Sequence, residues 1–275
     1  MKPHDDSSLV LPHTYQFEGR AVRYGTLGSG NPLVLLHGTP FSSVVWRRIA
    51  PLLAPRRRLF FFDMLGYGQS DKQSGQDVSL AVQNRLFAAL LAHWHLDRPD
   101  VVAHDFGGAT ALRAHLLNGC EYASLMLIDA VAVAPWGSPF VRHVRDHEAA
   151  FAGLPPYVHH AILETYISGA AHKSIRPEDL KLYVDPWTGE AGQAAFYRQI
   201  SQMDQRYTDE VERLYGEIRC PVSILWGEQD NWIPLERGQS LAAKIPGASF
   251  KIIPGAGHLV QEDAPEAIVA ALLAG

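Results

Sequence analysis

Six short runs of consecutive apolar residues recur along the chain, and segments long enough to form a helix separate them. The runs cover residues 33–36, 59–62, 101–103, 125–128, 222–225 and 250–253. Runs of this length without polar alternation are typical of parallel strands that are buried on both faces. The segments between them predict helices over residues 42–53, 79–93, 108–118, 236–244 and 265–273. The pattern therefore predicts an α/β fold with a doubly wound, mostly parallel sheet.

The pattern changes between residues 133 and 213, where polar and aromatic residues form helix-like segments without a strand. Prolines interrupt this stretch at positions 135, 139, 155, 156, 177 and 186. We interpret residues 133–213 as a helical cap inserted into a core formed by residues 1–132 and 214–275. Because ligands of open α/β sheets bind beyond the carboxyl ends of the strands, such a cap would cover the site.

Composition narrows the classes of function. The chain has 275 residues, 47% of them hydrophobic, and a formal net charge of -5, which gives no basic surface for nucleic acid. Two cysteines cannot form a disulfide framework, and the thirteen histidines show no metal-ligand spacing, so we expect a cytoplasmic protein without a metal. Residues 1–8 lack the apolar region of a secretion signal, and no apolar stretch is long enough to span a bilayer, so no membrane partner is expected.

The strand at residues 101–103 runs into a turn that carries one carboxylate between small residues. Ala103, Asp105 and Gly107 follow the small-x-nucleophile-x-small pattern of a nucleophile elbow, where strand and helix nearly touch. The tip holds aspartate in place of serine. An attacking carboxylate forms an ordinary ester, which suits displacement at a saturated carbon rather than acyl transfer.

A base and an orienting acid follow in the expected chain order. His258 lies in a glycine-rich loop after the last strand, and we predict that it activates the water that hydrolyses the ester, since Asp105 is already ionised. Asp230, in a turn after the run at 222–225, is our first choice for the acid that holds the imidazole tautomer. Asp129, directly after the run at 125–128, is the alternative.

The turn His37-Gly38-Thr39-Pro40 follows the first apolar run and predicts an oxyanion site. The backbone N–H groups of Thr39 and Phe106 would stabilise charge when water attacks the ester. Pro40 restricts Thr39 to extended conformations, and a cis bond there would help to aim this N–H group inward. We interpret His37 as structural.

Two weaker signals remain. Gly66 and Gly68 form a G-x-G pattern without a third glycine, which disfavours a dinucleotide site. The cap is rich in aromatic residues, which are more often packing residues than catalytic ones, and Tyr197 is the exception to test first. The cap aromatics are Trp136, Tyr157, Tyr166, Trp187, Phe196 and Tyr197.

Together these residues resemble the α/β-hydrolase superfamily over nearly the whole chain. The aspartate elbow and His37-Gly38-Thr39-Pro40 resemble its haloalkane dehalogenase and epoxide hydrolase branch. Residues 37–47 and the tail 261–266 are especially similar to haloalkane dehalogenases. In that group a carboxylate displaces halide, and a water activated by histidine then cleaves the alkyl ester.

The chain departs from the dehalogenase pattern near the leaving group. Those enzymes usually place Trp after the nucleophile to bind halide, whereas this chain has Phe106, whose ring donates no hydrogen bond. Many carry Asn or Glu where this chain has Thr39. The resemblance then implies that another residue binds the departing halide, and the candidates are Thr39, Trp136, Trp187, His159, His160 and Tyr197. Fluoroacetate-cleaving members carry arginines at positions that match Phe106 and Ala109, so a small haloacid is disfavoured.

The epoxide hydrolase interpretation depends on cap tyrosines. Enzymes of that group use them to protonate an alkoxide, a far poorer leaving group than halide. Phe196-Tyr197-Arg198 matches the element that carries one such tyrosine, and Tyr166 or Tyr157 would supply the second. Those enzymes usually have an aromatic residue where this chain has Thr39. Both groups place the acid after either of two strands, so the resemblance leaves Asp129 and Asp230 open.

The sequence therefore predicts a hydrolase, monomeric or dimeric, that acts on a small organic molecule through an ester on Asp105 and needs no cofactor. Cleavage of a carbon–halogen bond is the first choice and epoxide opening is the alternative. An alternative of another class is a ligand-binding homologue that has the fold without the activity.

Overall fold

The computed structural model describes residues 9–273. The first eight residues, which we predict to carry no secretion signal, lie outside this range. Within it the chain forms eight strands and twelve α-helices. The strands are β1 (His13–Phe17), β2 (Arg20–Leu27), β3 (Asn31–Leu36), β4 (Arg57–Phe62), β5 (Asp100–His104), β6 (Ser124–Ile128), β7 (Val222–Gly227) and β8 (Ser249–Ile253). The helices are α1 (Ala50–Leu53), α2 (Leu80–His93), α3 (Phe106–Asn118), α4 (Pro139–Asp146), α5 (Glu148–Ala152), α6 (Pro156–Ser168), α7 (Pro177–Val184), α8 (Gly189–Ser201), α9 (Arg206–Glu212), α10 (Leu235–Lys244), α11 (Val260–Asp263) and α12 (Pro265–Leu273).

All eight strands form one sheet in the order β1-β2-β4-β3-β5-β6-β7-β8. The strands from β4 to β8 in this order are parallel, whereas β2 is antiparallel to both β1 and β4. The four central strands β3, β4, β5 and β6 end in consecutive buried residues, as doubly covered parallel strands require. The predicted fold class, a mostly parallel sheet with flanking helices, is confirmed.

The carboxyl ends of β3, β5, β6 and β7 lie side by side at one edge of the sheet. Register pairs Leu36 with Ala103, His104 with Ile128, and Ile128 with Leu225. The residues that follow these strands therefore meet at one place, which positions the turns at residues 37–40, 105, 129 and 228–230 together.

Six helices, α4 to α9, occupy the chain between β6 and β7, and the structure forms no strand there. Helix α8 is central to this group, because it contacts α4, α5 and α6. The chain around these helices supplies one wall of the candidate active site.

Three predictions of elements require correction. The predicted helix over residues 42–53 is a 3₁₀ turn at Ser43–Trp46 followed by α1, because the Pro51 ring is incompatible with the carbonyl one turn earlier in a continuous helix. The run at 250–253 was expected to be a buried strand, but β8 is an edge strand in which only Ile253 is buried. Helix α3 begins at Phe106, two residues before the predicted start, since the elbow itself ends at Asp105.

Strands β1 and β2 carry no continuous apolar run, so the hydrophobic pattern does not predict them. Within the part of the chain that is described, no helix combines the length and the apolar character needed to cross a bilayer.

Candidate active site

Asp105 lies on the turn between β5 and α3, with φ 50° and ψ -119°. This positive φ is a strained conformation for a residue with a side chain, of the kind found at functional turns. A Cβ atom added to Gly107 would lie 2.5 Å from the carbonyl oxygen of His37, so only glycine allows this approach. The turn therefore has the backbone geometry of a nucleophile elbow. It directs the Asp105 carboxylate, which is buried from solvent, toward the space beyond the sheet.

The turn after β3 holds one oxygen of this carboxylate. The Thr39 backbone N–H donates to Asp105 Oδ2 at 2.6 Å. A Cβ atom on Gly38 would lie 2.4 Å from the same oxygen, so the glycine permits the contact. The Thr39–Pro40 peptide bond is cis. Both predicted oxyanion donors, the N–H groups of Thr39 and Phe106, interact with the Asp105 carboxylate.

His258 lies between two carboxylates. Its Nδ1 atom is 2.9 Å from Asp230 Oδ2, and its Nε2 atom is 3.7 Å from Asp105 Oδ1. The Nε2 atom is buried and has no hydrogen-bond partner within residues 9–273. If Nδ1 carries the proton donated to Asp230, Nε2 presents a lone pair toward Asp105. The structure thus brings together the predicted nucleophile, base and first-choice acid.

The turn after β7 fixes Asp230. Its Oδ1 atom accepts hydrogen bonds from the N–H groups of Trp232 at 2.7 Å and Ile233 at 2.9 Å. The alternative acid, Asp129, accepts from the Gly227 N–H at 2.8 Å through Oδ1, while its buried Oδ2 has no partner in the described chain. Burial and the neighbouring Asp230 carboxylate raise the pKa of Asp129 well above its usual range. Asp230, and not Asp129, is therefore the carboxylate bonded to His258.

The same geometry sets the charge states of the site. Burial raises the pKa of Asp105 to about 6, although His258 and the N–H groups of Phe106 and Thr39 oppose the rise. Burial disfavours the charged imidazole of His258, but the carboxylates of Asp230 and Asp105 outweigh it and raise its pKa. Deprotonated Asp105 and neutral His258 coexist only above the pKa values of both groups.

Two other buried histidines support this arrangement. His37 accepts from the Met64 N–H at Nε2 and contacts the Gly38 carbonyl through Nδ1, which agrees with the predicted structural role. His104, which the sequence motifs did not single out, contacts the backbone carbonyl of His258 through Nε2 at 2.9 Å. Its ring centroid lies 4.8 Å from that of His258. A histidine directly before the nucleophile was the available signal for this contact.

A small cavity opens above Asp105, and its lining surface is mainly apolar. The lining residues are Thr39, Asp105, Phe106, Val131, Trp136, Gly137, Ser138, Val141, Tyr166, Met203, Trp232 and Ile233. A mainly apolar lining with a few polar groups around a nucleophile is typical of a site for a small organic molecule.

The predicted leaving-group residues are distributed unevenly around this cavity. Tyr166 lines it, and burial together with the nearby Asp105 charge raises the pKa of its hydroxyl. The Tyr166 hydroxyl makes no hydrogen bond to any residue from 9 to 273. Trp136 also lines the cavity, but its indole N–H donates to Thr208 Oγ1 at 2.8 Å. Of the cap side chains that the sequence predicts at the leaving group, Tyr166 is therefore the one that lines the cavity with a donor unpaired within the described chain.

The other cap residues require correction, because the structure places them away from the cavity lining. The Trp187 indole N–H donates to the Pro40 carbonyl at 2.7 Å and is buried there. The Tyr197 hydroxyl pairs with His159 Nδ1 at 2.9 Å, which also removes His159 from the possible halide ligands. Side-chain packing within the cap decides these contacts, and the local pattern around Tyr197 did not predict them.

Tyr157 and His160, near the start of α6, require the same correction. Both residues are exposed to solvent, and neither lines the cavity above Asp105. Of the three tyrosines named for epoxide opening, Tyr166 alone lines this cavity.

Gln199 in α8 is a further residue of the site, and no sequence motif identifies it. Its Oε1 atom accepts from the Thr39 hydroxyl at 2.6 Å and from the Tyr67 hydroxyl at 3.1 Å, and all three side chains are buried. The cap therefore contacts the oxyanion turn directly. A lone glutamine in a helix gave no signal for this role.

Residues of the described range form no group of three or more His, Cys, Asp or Glu side chains that could hold a metal ion.

The fold agrees with the comparisons with known proteins. A family model described as the alpha/beta hydrolase fold matches residues 31–265. The chain belongs to the α/β-hydrolase fold family. This α/β-hydrolase is 58% identical to an alpha/beta hydrolase fold protein from Burkholderia ambifaria of known structure. The two superimpose with a TM-score of 0.95 over 97% of this chain and 98% of the other.

Curated relatives of this α/β-hydrolase carry different names. The dihydrolipoyllysine-residue acetyltransferase component of an acetoin cleaving system from Pseudomonas putida is 27% identical, and the match covers 98% of this chain and 70% of that protein. Haloalkane dehalogenase 2 of Mycobacterium bovis is 25% identical, with 95% of this chain and 96% of that protein covered. The comparisons thus establish the superfamily. The branch within it is proposed below from the residues of the site.

Proposed function

We propose that this α/β-hydrolase displaces a leaving group from a saturated carbon through a covalent ester on Asp105. The observation that carries the proposal is the position of Asp105, with Oδ2 on the Thr39 N–H and Oδ1 3.7 Å from the unpartnered Nε2 atom of His258. A ligand-binding protein has no need of a buried nucleophile, base and acid in this arrangement.

The two oxygens of Asp105 then have different roles. Oδ1 attacks the substrate carbon, forms the ester bond and displaces the leaving group with its bonding electrons. Oδ2 becomes the ester carbonyl and remains on the Thr39 N–H. His258 removes a proton from water, whose oxygen attacks Cγ, while the N–H groups of Thr39 and Phe106 stabilise the charge on Oδ2. Collapse breaks the Cγ–Oδ1 bond, and Oδ1 leaves with the substrate carbon as an alkoxide that takes the proton from His258 and becomes the product alcohol. The second proton of the water leaves to solvent, which returns Asp105 to a carboxylate that now contains the water oxygen.

A carbon–halogen bond is the first substrate class that we propose. The resemblance around Thr39 and the tail, together with the relative named haloalkane dehalogenase 2, supports it. A halide leaves as a stable anion and needs hydrogen-bond donors but no acid. The indole N–H groups of Trp136 and Trp187 are occupied, so the hydroxyl groups of Tyr166 and Ser138, which line the cavity, are the cap donors for the departing halide.

Epoxide opening is the second candidate, and the Tyr166 hydroxyl favours it. An alkoxide leaving group requires a proton, and a phenol that faces the nucleophile across an apolar cavity is a suitable acid. The two candidates differ in product, because a haloalkane yields halide and alcohol and an epoxide yields a diol.

Replacement of His258 by alanine tests the covalent mechanism. Ester formation needs only Asp105, whereas hydrolysis needs the base, so the variant should accumulate an alkyl adduct on Asp105 that intact mass and peptide mapping detect. The matched control is Asp105→Asn, which should form no adduct. Absence of both adduct and turnover across haloalkanes and epoxides would contradict the enzyme and favour a ligand-binding protein.

A further inference from the structure

A second concavity lies on the outer face of the cap and opens to solvent. It is lined by one face of α6, by Phe140 of α4 and by Trp232 of the core. None of its lining side chains carries a charge. Its lining residues are Phe140, Val158, Ala161, Ile162, Thr165, Tyr166, Gly169 and Trp232. We refer to this concavity, defined by these residues, as the cap groove.

Two residues belong to both the cap groove and the catalytic cavity. Tyr166 and Trp232 line each of them, and their rings stack with centroids 4.5 Å apart and an interplanar angle of 20°. Trp232 also stacks on His258, with centroids 5.0 Å apart. This ring pair is therefore the wall between the groove and the space in front of the base.

The chemistry of the cap groove indicates what occupies it. Removing apolar surface from water is favourable, so a ligand that covers this groove gains binding free energy. Large exposed apolar patches commonly mark binding sites. The groove borders the catalytic cavity, because Tyr166 and Trp232 line both, and the cavity itself has room for only a small molecule. A substrate that is longer than the cavity would extend past Tyr166 and Trp232 and reach apolar surface.

We infer that the cap groove binds an apolar tail of the substrate, an alkyl or aryl chain whose reacting carbon lies at Asp105. The inference rests on the proposed function and names its substrate class as molecules with an extended apolar part. The tail then lies across Tyr166 and Trp232, the ring pair at the boundary of cavity and groove, and the residues on α6 determine the preference for chain length.

A homologous series of 1-bromoalkanes and terminal epoxides with three to ten carbons tests this inference. For each methylene that reaches the groove, kcat/KM should rise about threefold to fourfold, as expected from the burial of one methylene group. Ala161→Glu places a charge in the groove and should lower kcat/KM at least tenfold for the ten-carbon substrates, with less than a twofold change for three carbons. Ala150→Glu, at an exposed position of α5 outside the groove, is the matched control and should behave as the parent.

Binding of 1-decanol and 1-butanol to the Asp105→Asn variant provides a readout without turnover. Decanol should bind more tightly than butanol, and adding Ala161→Glu should remove this difference. Turnover without dependence on chain length, or an equal effect of Ala161→Glu on short and long substrates, would overturn the groove assignment. A dimer that Ala161→Glu dissociates while the chain-length preference persists would assign the groove to a second copy and overturn it also.

Failure of the proposed function gives a different result. In that case the alcohols still discriminate between the parent groove and Ala161→Glu, while the His258→Ala variant forms no adduct with any bromoalkane or epoxide.

Discussion

Asp105 combines three features that a surface aspartate lacks: burial, a positive φ and two backbone N–H groups directed at its carboxylate. The N–H groups and His258 stabilise the anion, but burial outweighs them and raises the pKa of Asp105 to about 6. The nucleophile is therefore an anion only near neutral pH and above, and its chemistry depends on pH within a range where the protein can be studied.

The first prediction concerns this dependence. Asp105 attacks only as the carboxylate, so kcat/KM should fall as pH decreases through about 6, approaching tenfold per pH unit at lower pH. Protonation of His258, whose pKa is also raised, stops water activation on the same acidic side. Initial rates between pH 4.5 and 9 would measure both effects, and a kcat/KM that is unchanged from pH 7 to pH 5 would contradict the raised pKa of Asp105.

Adduct formation in the His258→Ala variant separates the two groups. Because the base is absent, any remaining acid limb in the rate of adduct formation belongs to Asp105. The His258 charge lowers the pKa of Asp105 in the parent, so the limb should lie at higher pH in the variant than in a parent measured by the same step.

Much of the candidate site could be predicted at the residue scale, because it follows from local pattern. An elbow needs small residues at fixed spacing, and the ends of parallel strands meet at one edge, so Asp105, His258 and Asp230 were identified from short segments. The positions of Trp187, Tyr197 and Gln199 could not be predicted in this way. Their partners lie far away in the sequence, and only the packing of the cap determines which donor each one reaches.

Strand prediction at the element scale succeeded where burial is greatest. A run of apolar residues identifies a strand covered on both faces, as in β3 to β6. Strands β1 and β2 form a hairpin at the edge of the sheet, and exposed and buried residues are mixed along both. They therefore contain no run of consecutive apolar residues that would predict them. Pro51 likewise divides a segment whose hydrophobic pattern alone predicts one helix.

The loop that carries His258 depends on α11. Asp263, a buried residue at the end of that helix, accepts through Oδ2 from the N–H groups of Gly257 at 2.8 Å and His172 at 2.7 Å. Its Oδ1 atom accepts from the Lys173 N–H at 2.8 Å. One carboxylate thus joins the base loop to the loop between α6 and α7, and we propose Asp263 as a positioning residue.

The second prediction tests this role. Asp263→Ala removes the partner of three N–H groups, of which that of Gly257 is buried, and should lower kcat more than tenfold with a smaller change in KM, because His258 loses its position while the cavity remains. Asp263→Asn retains one acceptor oxygen and should recover part of the loss. The fraction of active sites, counted from adduct formation with His258→Ala in each background, distinguishes misplacement of the base from unfolding. A normal kcat per active site would contradict the positioning role.

At the scale of the whole molecule, buried hydrogen bonds and ion pairs join the cap to the sheet domain near the site. Arg47 of the core is bonded to Asp179 at 2.7 Å and to Tyr183 at 2.6 Å, both in α7, and to Glu262 in α11. Burial opposes the charge on Arg47, but Tyr183 and Glu262 outweigh it and raise its pKa. Breaking such a buried network leaves an uncompensated charge, so these contacts hold the cap in place.

The third prediction concerns the free energy of unfolding of the whole chain. A pKa near 6 for Asp105, against an ordinary value of 3.8, means that the folded protein binds the proton more tightly than the unfolded chain, so folding loses stability as pH rises from about 4 to about 6. Full ionisation of Asp105 in the folded state therefore costs about 3 kcal/mol above that range. Asp105→Asn retains the shape of the side chain without the charge, and asparagine tolerates a positive φ. The variant should be more stable than the parent by up to this amount at pH 8, and by less at pH 5.

Urea denaturation at both pH values would measure the difference, with Asp97→Asn, at an exposed position, as the control that should leave the stability unchanged. A variant less stable than the parent at pH 8 would mean that the N–H groups of Thr39 and Phe106 and the imidazole of His258 stabilise the buried anion more than burial destabilises it. The pKa of Asp105 would then lie below its ordinary value, and the acid limb of kcat/KM would move below pH 4 with it. Stability and activity therefore report on the same carboxylate, and the two measurements must agree if the strained, buried aspartate is the nucleophile.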